Sequence, residues 1–283
     1  MPLRPRRSAL YMPAANVRAI EKSRELPCDV VILDLEDGVA PDAKEFARAR
    51  AVEAVVSGGF GRREVVVRVN AIATPWGQDD LAAACGAGPD AILAPKVSSA
   101  RDVAAYAAAM TPEIELWAMI ETCAAIFSLK EIAAAGPSAN LGVWVIGSND
   151  LAKEMRCRPD ENRLALAPLL SLAVACAHGN GLTILDGVYN ELDDDAGLER
   201  QCRQGADIGF DGKTLIHPLQ ISRANHAFSP SAEEVTWSQT IVDAFGSPEA
   251  ALKGVLRVEG KMVERLHLEE ARRVLAVAAA TQD

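Results

Sequence analysis

In the stretch DVVILDLEDGV three acids, Asp34, Glu36 and Asp37, fall within four positions at the end of an apolar run. Ionised carboxylates this close repel one another and lose hydration, so they persist where a cation, an arginine or hydrogen-bond donors offset the cost. A solvated loop that caps a helix would explain them without any chemistry. Carboxylate clusters point to a site, although structural networks imitate them. Other apolar runs end the same way: Arg68 and Asn70 in EVVVRVN, Lys96 in AILAPK, Glu121 in IELWAMIET, Asn149 and Asp150 in LGVWVIGSND, Asp186 in LTILDGV, and Lys213 and His217 in GFDGKTLIHP. A single case is a helix cap, as Asp150 before LAKEM would be, but capping does not explain seven in succession.

The residue types define the chemistry. Glu121 and Asp150 are oxygen donors with no histidine or cysteine beside them. That suits Mg²⁺, or Mn²⁺, and leaves coordination positions for water and substrate. Arg68 carries a permanent charge on a planar fork of donors, fit to steady an oxyanion or carboxylate or to pair with Asp34 or Glu36, and both roles are compatible. His217, just before Pro218, reads more simply as a hydrogen-bonded turn residue than as an acid–base group. His178, His226 and His267 fall on helical stretches. The six cysteines form no CxxC pair, so neither a zinc site nor a disulfide framework is indicated. Cys123 has no histidine near it in sequence to activate it.

Eight short apolar runs must carry these groups: SALYMP, DVVILDLED, EVVVRVN, AILAPK, IELWAMIET, LGVWVIGSND, LTILDGV and GFDGKTLIHP. Alanine-rich segments of helical spacing separate them and close on Gly or Pro, the punctuation of βα units. Eight such units in series predict a (β/α)₈ TIM-like barrel over residues 1–228, with the polar groups gathered at the C-terminal ends of its strands. A doubly wound sheet would want a Gly-rich phosphate turn, and no GxGxxG is present. Residues 229–283 are left over as an extension, a lid or oligomer arm, with a helix through about Phe245, a hairpin around Glu259-Gly260 and a last amphipathic helix.

The formal charge of −10 and the pI near 5.0 exclude a nucleic-acid backbone as the expected partner and leave a small molecule. No run is apolar for long enough to span a membrane, and MPLRPRRSALYMP lacks a signal-peptide core, so a cytoplasmic protein is expected.

The motifs RSALYMP, LDLEDGVAPDAK, VVRVN, APKV, MIET, GSNDLA, LDGVY and GFDGKTLIHP, in this order over nearly the whole chain, resemble the HpcH/HpaI aldolase and citrate lyase β-subunit family, most closely its CoA-ester lyase branch. The resemblance implies a TIM-like barrel with a C-terminal extension, a homotrimer or a hexamer of two trimers, and Mg²⁺ held by Glu121 and Asp150. It further implies that Arg68 steadies the enolate of an acyl-CoA thioester. Arg7, and Lys96 with it, would help hold coenzyme A, and Glu36 and Asp37 would belong to the substrate-binding set. The expected reaction is aldol-type cleavage or condensation of a 3-hydroxyacyl-CoA such as malyl-CoA or citramalyl-CoA, giving an acyl-CoA and a 2-oxo acid.

Two positions depart from the family pattern. Pro13-Ala14 stands where Pro-Gly is frequent, with less backbone freedom. In GKMVERL, Glu264 replaces an aspartate that serves the family as acid–base group, and Leu266 replaces a proline. Glutamate has nearly the same intrinsic pKa but one more methylene, and catalytic placement is sensitive to about an ångström. Three functions therefore stand side by side: a lyase using Glu264; altered chemistry, as a 3-hydroxyacyl-CoA thioesterase or a CoA-independent 2-oxo acid aldolase; and a noncatalytic subunit that binds metal and acyl-CoA, which the intact Arg68, Glu121 and Asp150 set disfavours.

Overall fold

A computed structural model describes residues 4–246, 250 and 253–281. Eight strands, β1 (Ser8–Pro13), β2 (Val30–Asp34), β3 (Glu64–Arg68), β4 (Ala91–Ala94), β5 (Glu115–Ile120), β6 (Leu141–Ile146), β7 (Thr183–Asp186) and β8 (Gly212–Leu215), pair in parallel and in sequence order into a closed barrel. They match the eight apolar runs, which are unbroken because parallel barrel strands are buried on both faces. Helices follow the strands, among them α1 (Val17–Ser23), α2 (Lys44–Ser57), α3 (Gly77–Ala87) and α4 (Ala100–Ala109). After β5 the crossover is split into α5 (Cys123–Phe127), α6 (Leu129–Ala134) and α7 (Gly136–Ala139); α8 (Ser148–Met155) and α9 (Ala167–Gly179) follow β6, α10 (Asp195–Ile208) follows β7, and α11 (Ile221–Ala227) follows β8.

The interior is built on alternate residues. Tyr11, Val30, Ile32, Val66, Trp117 and Met119 belong to its packed apolar cluster. Two residues further along, in the same alternation, come Pro13, Asp34, Arg68 and Glu121, so the inward-facing layer changes from apolar to charged as the strands reach their C-terminal ends. The register keeps them level: Pro13 pairs with Asp34, and Asp34 with Arg68. At the opposite end, Arg6 Nη2 binds Glu64 Oε1 at 2.7 Å and Glu115 Oε2 at 2.6 Å, and its guanidinium lies 4.9 Å from the Trp117 ring centre. This half-buried, multiply bonded arginine closes that end of the barrel without leaving its charge uncompensated.

The chain divides into two compact units, Arg6–Asn225 and a second that begins at His226 and also takes in Arg4 and Pro5. In the second, α12 (Ala232–Phe245), the antiparallel strands β9 (Val255–Val258) and β10 (Lys261–Glu264), and α13 (Arg265–Thr281) share a core of Ile241, Phe245, Val258, Val263, Leu268 and Ala271. Glu259 (φ 48°) and Gly260 (φ 83°) turn the hairpin where the sequence predicts it. Ser231 starts α12 with a reciprocal cap, its hydroxyl accepting the Glu234 N–H while the Glu234 carboxylate accepts the Ser231 N–H. No helix among the described residues is long and apolar enough to cross a membrane.

Candidate active site

The C-terminal mouth of the barrel holds a cavity of about 320 Å³, lined by Tyr11, Pro13, Asp34, Arg68, Glu121 and Asp150 among others. Arg68 is its fixed charge. The residue is 6% exposed, and its guanidinium forms a fork on Asp34, Nε to Oδ1 at 2.6 Å and Nη2 to Oδ2 at 2.8 Å. Its third nitrogen, Nη1, lies 2.9 Å from Glu36 Oε2 and 3.5 Å from Asp37 Oδ2, and Tyr11 covers the plane at 4.6 Å from ring centre to Cζ. Asp34 is tied on both oxygens as well, accepting the Glu36 N–H at 2.9 Å and the Gly38 N–H at 2.8 Å. Gly38 is required there, because a Cβ would stand 2.5 Å from Asp34 Oδ2. Burial works against the Asp34 carboxylate, but Arg68 and these two N–H groups outweigh it and hold its pKa below the usual range.

Glu36 responds in the opposite sense. Burial pushes its carboxyl up to about 7; Arg68 pulls it down, and the charges of Asp37, Glu121 and Asp34 push it further up. One arginine thus faces three acids and satisfies one of them fully.

Glu121 and Asp150 form the second half of the site. Glu121 is 1% exposed, and burial raises its pKa although Lys96 opposes the rise. Its Oε1 accepts the backbone N–H of Lys96 at 2.7 Å. Gly147 packs so closely on it that a Cβ would stand 2.4 Å from both the Cβ and Oε2 of Glu121. Asp150, in the first turn of α8, binds the Lys96 ammonium, which is also 3.5 Å from Glu121 Oε1. A cation therefore already bridges the two carboxylates expected to hold a metal. That bridging, with oxygen donors only, fits a hard divalent ion that would take its remaining ligands from water and substrate. Among the described residues no group of three or more His, Cys, Asp or Glu converges that could hold a metal ion.

Several sequence expectations need correction. Arg7 precedes β1, at the N-terminal end of the strand rather than at the mouth, and its guanidinium binds Asp29 with Nε–Oδ2 and Nη2–Oδ1 distances of 2.8 Å. It is part of the barrel's closed end and does not line the cavity. Asp186 and Lys213 alternate the other way from the interior residue Leu185 and the cavity residue Thr214, so they sit behind the barrel wall. There Lys213 Nζ donates to Asp186 Oδ2 at 2.9 Å, to Gln201 Oε1 at 2.7 Å and to the Gly187 carbonyl, and Arg163 Nη1 binds Asp186 Oδ1 at 2.7 Å. Despite full burial, Lys213 and Arg163 hold Asp186 below the usual carboxylate range. Asn70 also turns away from the cavity, donating to the Leu35 carbonyl at 2.8 Å and to Asp80 Oδ2 at 2.6 Å. Lys96 reaches the site, but into the carboxylate pair.

Asn149 lines the cavity and exchanges two side-chain hydrogen bonds with Asn190. His217 is a turn residue: its Nδ1 accepts the Leu219 N–H, and Gln220 Oε1 accepts the His217 N–H. Ala14 is not among the described residues with positive φ, so the Pro13-Ala14 turn needs no glycine. Glu264 ends β10, its backbone N–H donated to His267 Nδ1 at 2.9 Å.

Two residues that sequence reasoning missed belong with the site. Tyr11 supplies the face against which Arg68 is pressed. Lys44 is 6% exposed and donates to the Leu35 carbonyl at 2.7 Å, the Glu36 carbonyl at 2.7 Å and Asn70 Oδ1 at 2.8 Å, which pins the acidic loop from beneath. One signal was available, since a lysine in the first turn of α2 opposes the helix dipole unless its ammonium is used elsewhere.

The model of the HpcH/HpaI aldolase/citrate lyase family matches residues 7–218. A (3S)-malyl-CoA thioesterase of Cereibacter sphaeroides is 47% identical over 276 residues, covering 98% of this chain and 95% of the relative. The L-malyl-CoA/beta-methylmalyl-CoA lyase of the same organism is 32% identical, covering 98% and 96%. Among solved structures, the Mycobacterium tuberculosis protein CitE in complex with magnesium, acetoacetate and coenzyme A superposes with a TM-score of 0.77 at 29% identity, over 96% of this chain and 97% of that one. The chain belongs to the HpcH/HpaI aldolase/citrate lyase family.

Proposed function

We propose that this protein is a Mg²⁺-dependent hydrolase of malyl-CoA-type 3-hydroxyacyl-CoA thioesters, releasing coenzyme A and a hydroxy acid. The observation that carries the hydrolytic outcome is the 47% identity, over 98% of the chain, to a (3S)-malyl-CoA thioesterase, against 32% to a lyase of comparable coverage. The geometry supports the substrate class. Arg68 is a permanent charge that Asp34 holds by its fork at the cavity wall. Placed against a thioester carbonyl, it stabilises the negative oxygen of either a tetrahedral adduct or an enolate, so one residue serves hydrolysis and carbon–carbon cleavage alike. Glu121 and Asp150 would hold the metal, which when bound supplies a Lewis acid toward the oxygens of the acyl group.

What separates the outcomes is where the proton and the water go. Hydrolysis delivers water to the thioester carbon and a proton to the departing CoA sulfur. Cleavage instead takes the proton from the 3-hydroxyl and returns one to the enolate carbon. Glu264 of a neighbouring subunit, in the place of the family aspartate, is proposed as the residue that moves this proton. Carbon–carbon cleavage is the second reading, supported by the lyase relative and by the suitability of Arg68 for an enolate. The two are tested by incubating the protein and Mg²⁺ with malyl-CoA and with citramalyl-CoA and measuring free thiol and 2-oxo acid in the same sample. Thiol release without 2-oxo acid is the expected result; 2-oxo acid release with the thiol still acylated would replace hydrolysis by cleavage.

A further inference from the structure

Among the described residues Arg68 and Lys96 bring cations to the carboxylates at the mouth of the barrel, and they are held in different ways. Arg68, with a side chain 7% exposed, is locked by a fork on Asp34 and by the Tyr11 ring. Lys96 has a side chain 40% exposed, on a flexible four-carbon stem, and its ammonium lies on Asp150 and 3.5 Å from Glu121 Oε1. Its backbone is unusual as well. At φ 57° Lys96 occupies the left-handed region that side-chain-bearing residues seldom adopt, while its N–H is fixed on Glu121 Oε1 at 2.7 Å. The main chain of Lys96 is thus anchored to one carboxylate of the pair, and its free end spans both.

We propose that Lys96 is a displaceable internal counter-cation: its ammonium holds the position between Glu121 and Asp150 and leaves when a divalent ion binds, so that Lys96 sets the metal affinity of the site. The proposal rests on the reading of Glu121 and Asp150 as the metal-holding pair. Glu121 is buried, and a charge in that position needs a partner. The lysine provides one without a metal, and because its stem is partly exposed it can withdraw without opening the barrel core. Exchange of an ammonium for a divalent ion also adds one positive charge to the pair and frees another at the rim, where the carboxylate and phosphates of an anionic substrate would meet it. Metal binding thereby prepares the mouth for substrate. Arg68 cannot act in this way, since the fork on Asp34 and the Tyr11 ring hold it in place.

The test is calorimetric titration of the full-length protein with Mg²⁺ and with Mn²⁺ alone, comparing wild type with Lys96→Met and Lys96→Arg. Removing a competing ion pair of this kind should tighten metal binding by up to about fivefold in Lys96→Met, with Lys96→Arg remaining near wild type. Equal affinities in wild type and Lys96→Met overturn the proposal and leave Glu121 and Asp150 as ligands. No binding to either protein overturns the ligand reading together with it. Lysine acylation of wild type, mapped by peptide mass spectrometry, provides a second readout that needs no variant. Mg²⁺ should accelerate modification of Lys96 and of no lysine outside the mouth, and an unchanged rate at Lys96 would show that the ammonium is not displaced.

Discussion

Glu36→Gln should make the protein more stable at alkaline pH while leaving it little changed in mild acid. The Glu36 carboxyl is raised from its ordinary 4.5 to about 7 by burial, with the charges of Asp37, Glu121 and Asp34 adding to the rise and Arg68 opposing it. Between those two values the folded chain holds a proton that the unfolded chain has released. The stability this group contributes is therefore complete below pH ~4.5, falls as pH rises through the window, and is lost above about 7. At about 1.4 kcal/mol per pH unit, a window of this width corresponds to about 3 kcal/mol. The side chain is 12% exposed, so solvent screening removes little of it. Glutamine keeps the shape and an acceptor for Arg68 but has no proton to lose. Urea unfolding of both proteins, at about pH 4.5 and again at about pH 8, isolates the effect, because every other titrating group is common to the two and cancels in their difference. The glutamine variant should gain about 3 kcal/mol on wild type between the two conditions. A difference that stays constant, or one in which wild type gains, would refute the argument that burial dominates at Glu36.

Other outcomes follow from the same geometry. Arg68→Lys keeps the charge but loses the fork on Asp34, and turnover of the thioester should fall by about a hundredfold or more, read as kcat under saturating substrate; near-wild-type turnover would reassign Arg68 to structure. Gly147→Ala forces a methyl group to within 2.4 Å of Glu121 Cβ and Oε2, so calorimetry should show weakened Mg²⁺ binding with the circular dichroism of the barrel retained; unchanged affinity would mean that Glu121 is not a ligand. Glu264→Gln should abolish turnover while leaving the affinity for a non-reactive substrate analogue within a factor of about two, and Glu264→Asp should restore it; full activity in the glutamine variant would remove Glu264 from the mechanism.

The barrel was legible because strands buried on both faces read as unbroken apolar runs, and no competing signal such as a glycine-rich phosphate turn interrupts them. The same property hid the orientation of individual residues. In a run such as LTILDGV nothing distinguishes the inward from the outward positions, so Asp186 looked like a mouth residue although it alternates with Leu185 and faces Lys213 and Arg163 behind the wall. Asp34, Arg68 and Glu121 line the cavity because they continue the inward alternation of Ile32, Val66 and Met119. Tyr11 is not legible as a site residue because an aromatic residue in an apolar strand reads as core, and it does belong to the core cluster while its face serves Arg68. Lys96 reads from the sequence as a polar residue at a strand end, but its contact with the carboxylates comes with a left-handed backbone that no local pattern announces.

The central claim, hydrolysis at a metal-dependent CoA-ester site, is tested most directly by a single turnover experiment in H₂¹⁸O with malyl-CoA and Mg²⁺, followed by mass spectrometry of the acid released. Attack of water on the thioester should place one ¹⁸O in a carboxylate of the hydroxy acid, with free coenzyme A appearing in equal amount. Recovery of a 2-oxo acid together with an acyl-CoA, and no labelled hydroxy acid, would contradict it.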